Sequence, residues 1–530
     1  MLNFKPFSAN FRNHLTSPGW TTRWTFLALA GLALVGTGLI LYLTAIAPWA
    51  YSDSTAYLAV ARNIAAGQGI VIQDPNGGFS FYTWHPPLFP LLLSLPISLG
   101  MQALQAARWL NAILFGLTIF LAGAATFRFT RSFWLACAVA GLVLASYDSL
   151  NAYSGVMSEG LFIFWCLLSL LMLARAIQSS HQPTRLLLLA GAAAGLATLT
   201  RYTGLALLVA GLLSILLFSQ GRMQQRLRKT LSYFLLAGVL TAAWLLPVFF
   251  ATRSLGSRQV QALADLPEKF RTYSLAFQDV LSGWLPFFYR GNHILSPALK
   301  LLIGLLLLAG FIGLTARWLR RHQQPANRDG LLTWLGVLGL FCVAYVALHL
   351  GTYLSIAAQP DVNGRLLLPL YVGGVLLAAG MAAFLGRALP KTWAAGLLFV
   401  ALALFSVWYF RSKVQTYQYE MHHYGQGFTS KLWLGNPIFC EISALDPNLA
   451  LYSNNPALVL FYTDRFPATL QLDPTGTIYD LQIPSKAGLV LFTNSGLGKI
   501  GDEYGNTATA ASQSYQLIYE NEIGYIFLPR

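Results

Sequence analysis

The chain has 530 residues, 56% of them hydrophobic and 10% charged, with a formal net charge of +15. Soluble domains carry roughly a quarter charged residues, so this balance excludes a soluble enzyme and reads as a polytopic membrane protein. Nor does the basic excess mark a nucleic-acid binder: up to Phe410 there are 27 Lys/Arg against 9 Asp/Glu, and from Arg411 onward 7 against 10, so the positive charge sits among membrane segments, where basic cytoplasmic loops and anionic lipid head groups account for it.

In chain order, residues 1–23 (Lys5, Arg12, Arg23) form a basic cytoplasmic leader. No small-residue cleavage site follows, so the first apolar segment reads as an uncleaved helix. A membrane-spanning helix takes about 20 apolar residues. The predicted spans are 24–47, 103–127, 133–147, 158–178, 186–200, 203–219, 231–250, 298–316, 331–350, 365–386 and 392–410, eleven in all. The proline-rich apolar run 86–100 reads as a partial or broken entry to the second span.

Charge tests this topology. With the leader, the connections 128–131, 175–185, 221–229, 317–329 and 387–391 hold 17 basic residues and one acid, Asp329. That is the bias of cytoplasmic loops. The other acids before Phe410 are Asp53, Asp74, Asp148, Glu159, Asp265, Glu268, Asp279 and Asp361, and all fall on the outer side. The fold class is therefore mainly α: about eleven transmembrane helices over residues 1–410, with outer loops 48–85 and 251–297. The second outer segment, 251–297, is too long for a simple connection and predicts helices along the interface. Residues 411–530 are less apolar, with alternating runs Leu449–Tyr452, Leu458–Tyr462, Leu489–Phe492 and Tyr525–Leu528 between Gly/Pro/Asn/Asp turns. They predict a small α/β or α+β extracytoplasmic domain.

The loop 48–85 is the first polar interruption of the apolar chain. A carboxylate this near hydrocarbon is costly and calls for a function. Asp53 has two readings: a helix cap or interfacial carboxylate, or a catalytic group that positions an acceptor hydroxyl or amine and takes its proton. No GxxxxGK[ST] loop and no GxGxxG after a strand is present, so no nucleotide site is predicted. The four cysteines (Cys137, Cys166, Cys342, Cys440) form neither a disulfide framework nor a thiolate metal site. His422-His423 lacks a third ligand, and Ser453-Asn454-Asn455-Pro456 reads as turn chemistry.

Several motifs carry a resemblance. Asp53 stands in YSDSTAYLAVARNI after the first span, and the loop ends in YTWHPPLFPLLLSL. Met157-Ser158-Glu159 heads the fourth span. TLTRYTGL (198–205), NGRLLLPLY (363–371), YGQGFTSKLW (424–433) and LYSNNPALVLFYTDR (451–465) follow. In order and spacing the chain resembles the GT-C superfamily of polyprenyl-phosphate-sugar-dependent glycosyltransferases. More narrowly, it is similar to bacterial relatives of protein O-mannosyltransferases and of the lipid A aminoarabinose transferase. That family commonly has one or two adjacent acids in the first loop; here Ser54 follows Asp53, so a second carboxylate must come from elsewhere.

The resemblance implies that Asp53 activates the acceptor. Asp148 and Glu159, flanking the second outer loop, are each candidates for a second acid, a cation ligand or an arginine partner. A lipid-phosphate donor needs cations at the outer interface, and arginine supplies paired hydrogen bonds to phosphate. Arg62, Arg201 and Arg365 are at the right depth, with snorkelling as the alternative. Arg365 and Arg201 are favoured for the donor phosphate. His85 is a phosphate or metal contact, or else a residue that satisfies loop hydrogen bonds; Arg290 and His293 cap the donor from the outer segment 251–297. The expected function is sugar transfer from a polyprenyl-phosphate carrier to a glycan, lipid or protein acceptor on the outer face of the plasma (inner) membrane, with membrane lipids as partners and no nucleic acid. No organic cofactor is implied, and a divalent cation is left open. A transporter or lipid-carrier flippase is the alternative, and a membrane scaffold with a sensory outer domain the third reading.

Overall fold

The computed structural model describes residues 18–74, 78–179, 183–253, 265–284, 330–355, 361–388, 392–470, 487–493 and 515–530, with the single positions 304 and 511. The predicted span 298–316 lies outside the described residues apart from that one position. Seven described helices are long and apolar enough to cross a membrane, and an eighth crossing forms if one bent pair counts as a single span. The chain is therefore a multi-pass, mainly helical membrane protein.

Helix α1 (Pro18–Leu43) opens the bundle. It ends four residues before the predicted limit because its last carbonyls are taken locally. Arg108 donates from Nη2 to Leu41 O at 2.7 Å and from Nε to Thr44 Oγ1 at 3.2 Å, a cationic cap on the negative end of the helix. Helix α2 (Ser52–Ala65) lies in the first loop, followed by the hairpin β1 (Val71–Gln73) and β2 (Phe79–Phe81). The run 86–100 is a separate short helix, α3 (Leu88–Ser98), packed on α2; Gly100, at φ +90°, turns the chain into α4 (Ala103–Thr130).

The predicted span 133–147 breaks at Ser146. Helix α5 (Phe133–Ala145) stops there and α6 (Tyr147–Ser154) leaves at 58°. The Ser146 hydroxyl accepts from Ser149 N and so caps a new helix, which is why a continuous apolar run still kinks. Helices α7 (Glu159–Gln178) and α8 (Pro183–Thr200) follow. A 3-10 turn (Tyr202–Gly204) then leads into α9 (Leu205–Phe218), 14 residues long and shorter than a full span. Helix α10 (Met223–Thr252) begins eight residues before the predicted 231. It absorbs the basic run 223–229 because Gln, Arg and Lys are good helix formers. From that end Arg226 donates to Leu216 O at 2.7 Å and closes α9. Gly191 of α8 lies where any Cβ would overlap the Tyr233 carbonyl of α10, the small-residue contact that lets membrane helices approach closely.

Helices α11 (Leu266–Trp284), α12 (Gly330–Ser355) and α13 (Leu368–Ala388) complete the bundle. Helix α11 falls in the segment 251–297 and is amphipathic: Tyr273 and Phe277 are buried, Glu268 and Arg271 exposed. Helix α14 (Thr392–Tyr424) runs without a break across residue 410 and ends only at Gly425, at φ +68°. Beyond it a short helix, α15 (Ile438–Ala444), precedes a mixed five-stranded sheet. Its strands are β3 (Leu451–Ser453), β4 (Ala468–Thr469), β5 (Gly488–Phe492), β6 (Tyr515–Asn521) and β7 (Gly524–Pro529), in the order β4-β3-β5-β7-β6. Strand β3 is parallel to β4 and β5, and β7 is antiparallel to β5 and β6. The run 458–462 is helical, within α16 (Pro456–Thr463). Asn455 caps it from Oδ1 and Pro456 stands at its start, so the SNNP motif is turn and cap chemistry.

Residues 48–51 tie these parts together. Trp49 N donates to Ser154 O at 3.0 Å, and Val156 N to Trp49 O at 2.9 Å. On the other side Phe428 N donates to Ala50 O at 2.8 Å and Thr429 Oγ1 to Pro48 O at 2.9 Å. The first loop is thus clamped between the 154–156 turn and the start of the C-terminal region. Gly155 is required here, because a Cβ would enter the Trp49 indole. Gly155→Ala is expected to cost about 1–3 kcal/mol by overpacking, read as a lowered melting temperature of the purified full chain; an unchanged melt would show that the clamp yields without cost.

Candidate functional site

At the clamped end of the bundle, four charged side chains from separate elements come together. Glu159 is the first residue of α7 and is 2% exposed. Its Oε1 lies 3.1 Å from Arg201 Nη1 and 3.4 Å from Arg365 Nε. Both approaches are too oblique for an aligned hydrogen bond, and Oε2 has no hydrogen-bond partner among the described residues. One carboxylate therefore faces two guanidinium groups, and the trio keeps one positive charge uncompensated.

The backbone explains how each arginine arrives. Arg201 stands between the last residue of α8 and the 3-10 turn, so an apolar hairpin delivers a single cation to the bundle end. It also donates to Ser158 Oγ at 3.2 Å. Arg365 follows an Asn turn in which Leu366 N donates to Asn363 Oδ1 at 3.0 Å. Its Nη1 lies 3.0 Å from Met157 Sδ, and its guanidinium is 5.9 Å from the Trp49 ring centroid, a cation–π contact. Snorkelling does not describe either residue: their side chains are only 20% and 18% exposed.

Asp53 sits in the first turn of α2, where the helix dipole favours a carboxylate. It is not the cap. That role falls to Tyr51 and Ser54, whose Oγ accepts from Tyr51 N at 3.1 Å. The Asp53 side chain is 42% exposed, with Oδ1 3.7 Å from His85 Nε2. His85 Nδ1 is 2.6 Å from the Tyr82 hydroxyl, which fixes the ring. Tyr57, one turn along α2, packs on His85 at 5.0 Å and shares a 3.1 Å hydrogen bond with Ser158. A polar path thus runs from Asp53 and His85 through Tyr57 and Ser158 to Arg201 and Glu159. Burial pushes the Tyr57 and Tyr82 phenols well above their ordinary range, so both stay protonated.

Asp148 is near but separate. Its Oδ2 accepts from Trp284 Nε1 of α11 at 2.6 Å, and its carboxylate lies where a Cβ on Gly364 would fall. It docks α11 beside the Arg365 turn and, among the described residues, pairs with no arginine. Arg62 is bound to Asp464 at 2.6 Å, joining α2 to the C-terminal region. The pair is exposed, so Arg62→Ala is expected to change stability by about 1 kcal/mol or less and to leave transfer unchanged in an activity assay; a large loss of transfer would return Arg62 to the phosphate site. His422 stacks on Tyr42 at 4.0 Å, and His423 packs against Tyr419 at 4.4 Å with the rings tilted. Among the described residues no group of three or more His, Cys, Asp or Glu is placed to hold a metal ion. Arg290 and His293 lie outside the described residues.

The sequence reading gave no role of their own to Tyr57, Tyr82 and Ser158, which stand in the motifs around Asp53, His85 and Glu159 and link the charged groups. Tyrosines at helical spacing look like core, and only their neighbours reveal the path. The signal for Ser158 was its place beside Glu159.

Comparison with known proteins bears on this site. Residues 84–250 match the family model for dolichyl-phosphate-mannose-protein mannosyltransferase. That stretch includes His85, Asp148, Glu159 and Arg201. No curated protein sequence matches. Among solved structures, the archaeal oligosaccharyltransferase AglB of Archaeoglobus fulgidus, in complex with an inhibitory peptide and a dolichol-phosphate, aligns at TM-score 0.52 and 11% identity over 96% of this chain and 74% of that one. The A. fulgidus enzyme tethered to an acceptor peptide aligns at TM-score 0.51 and 13% identity, over 97% and 75%. ArnT of Cupriavidus metallidurans bound to undecaprenyl phosphate aligns at TM-score 0.48 and 14% identity, over 96% and 98%. At these identities the likeness to the A. fulgidus enzymes is one of fold. The family model thus covers residues 84–250, less than half of the chain, and the likeness over nearly the whole length is one of fold.

Proposed function

We propose that the protein transfers a sugar from a polyprenyl-phosphate carrier to an acceptor hydroxyl or amine on the outer face of the plasma (inner) membrane. The observation that carries this reading is the convergence of Arg201 and Arg365 on Glu159, one polar path away from Asp53. The trio's surplus positive charge is the electrostatic requirement for a phosphate at the membrane edge, where low dielectric strengthens the attraction. Arginine suits it by offering paired donors to phosphate oxygens.

In the reaction, the acceptor oxygen or nitrogen attacks the anomeric carbon. The bond from that carbon to the phosphate oxygen breaks, and polyprenyl phosphate leaves with the electron pair. Arg365 and Arg201 stabilise the negative charge that develops on the leaving group. Asp53 holds the acceptor and takes its proton, with His85 orienting the carboxylate. Attack opposite the phosphate inverts the anomeric centre. The C-terminal region, joined to the first loop at Ala50 and through Arg62 and Asp464, borders the acceptor side; glycan, lipid and protein acceptors fit this chemistry. In this orientation the basic connections 128–131, 175–185 and 221–229 face the cytoplasm, as does the N-terminus.

The test is mass spectrometry of envelope glycans, lipids and glycoproteins from cells with and without the gene. The expected result is loss of one sugar from one acceptor class. An unchanged envelope, with substrate uptake by vesicles that contain the protein, would overturn the reading in favour of a transporter.

A further inference from the structure

Helix α12 carries Phe341, Tyr345, His349 and Tyr353, each four residues from the next. That spacing stacks them on one face of the helix. Core packing accounts for the phenylalanine and the tyrosines but not for the imidazole. His349 is 4% exposed. Its Nδ1 lies 3.2 Å from the Tyr273 hydroxyl of α11, and its ring is 5.7 Å from Tyr273 and 6.4 Å from Tyr345. Its Nε2 is buried, with no hydrogen-bond partner among the described residues. An unsatisfied buried nitrogen is costly enough to demand a reason.

The same face leads into the cationic cluster. Tyr345 donates to Leu366 O at 2.7 Å, the carbonyl next to Arg365. Its ring is 6.3 Å from Phe162, three residues beyond Glu159. Among the described residues, the rings against the imidazole are those of Tyr273 and Tyr345, and Tyr353 packs on Tyr273. A phenol is a stronger donor than acceptor, so Tyr273 donates to Nδ1. That leaves the ring proton on Nε2. The orphan atom is then an N–H donor on the helix face that Tyr345 links to the Arg365 turn.

We propose that His349 is a donor-binding residue whose Nε2–H reaches a phosphate oxygen of the lipid-linked sugar, with Tyr273 setting the ring's orientation. This rests on the reading of the site as a polyprenyl-phosphate site. It gives the phosphate a directional contact in addition to the charge of Arg201 and Arg365. It also gives α11 a purpose: the helix that docks on Asp148 through Trp284 fixes the third donor through Tyr273.

The test uses the purified full-length protein in detergent with two probes, undecaprenyl phosphate and the uncharged undecaprenol, and compares binding by wild type, His349→Phe and His349→Gln. His349→Phe keeps a stacked ring and removes the donor; His349→Gln restores an N–H near the Nε2 position. His349→Phe is expected to weaken undecaprenyl phosphate binding about tenfold or more, the scale of one hydrogen bond to a charged group, and to leave undecaprenol binding within about twofold. His349→Gln is expected to recover most of the loss. Unchanged phosphate binding by His349→Phe, or equal weakening for both lipids, overturns the proposal, the second by showing a packing role alone. Wild type that does not prefer the phosphate over the alcohol overturns the donor reading itself, and this inference with it.

Discussion

Asp53→Asn is expected to lower sugar transfer by roughly 10²–10⁴-fold, the usual contribution of a positioned general base, while the purified protein melts at the wild-type temperature. The separation of the two effects follows from the surroundings of Asp53. The carboxylate is 42% exposed, does not cap α2, and lies 3.7 Å from His85. Asparagine fills the same space and can accept a hydrogen bond, so orientation of the acceptor partly survives. It cannot take the proton that the acceptor must lose. The loss should therefore fall on kcat more than on KM for the acceptor. Transfer at the wild-type rate by a well-expressed Asp53→Asn variant would remove Asp53 from the chemistry.

The second large effect concerns folding. Glu159→Ala removes the one carboxylate that faces both Arg201 and Arg365, with its own side chain 2% exposed. Taking away one partner of a buried ionic group typically costs about 3–5 kcal/mol, because the remaining charge is left uncompensated. Here two guanidinium groups lose their counterion, so the variant should express poorly or melt far below wild type. Arg365→Ala should be much milder for stability, since Glu159 keeps Arg201. It should nonetheless reduce donor binding sharply. Thermal melts of the two variants check the order; a Glu159→Ala protein as stable as Arg365→Ala would show that the carboxylate is not the counterion of the pair.

The charged groups of this site were legible in the sequence for a physical reason. Aspartate, glutamate and arginine are expensive beside hydrocarbon, so Asp53, Glu159, Arg201 and Arg365 stand out at the ends of apolar runs. Their pairing was not legible. Nothing in the spacing of 159, 201 and 365 says that one carboxylate oxygen faces both arginines, because that depends on how α7, the 201–204 turn and the 361–367 turn meet. Asp148 looked equivalent to Glu159 in sequence, yet the Trp284 indole claims it. His349 was hidden because a ring at helical spacing is indistinguishable from core until its polar atom is seen without a partner among the described residues; Tyr57 stood near Asp53 in sequence, but its bond to Ser158 was not legible.

The helix limits show the same division. Long apolar runs located the crossings. Their ends were set by single polar atoms that hydropathy does not weigh: the Ser146 hydroxyl that starts α6, the Arg108 guanidinium that closes α1, and the stretch before Gly425 that lets α14 run on. The fold of the C-terminal region was readable as alternating strands, but the helical state of 456–463 depended on Asn455 and Pro456 acting together as a start signal.

The most direct measurement is an experimental structure of the full chain with undecaprenyl phosphate bound. The account predicts the phosphorus atom within about 4 Å of a guanidinium nitrogen of Arg365 or Arg201, the separation that a charge-assisted N–H···O contact imposes, on the side of the cluster that faces Asp53. Phosphate density elsewhere on the protein, with the Glu159, Arg201 and Arg365 cluster unchanged and unvisited, would contradict it.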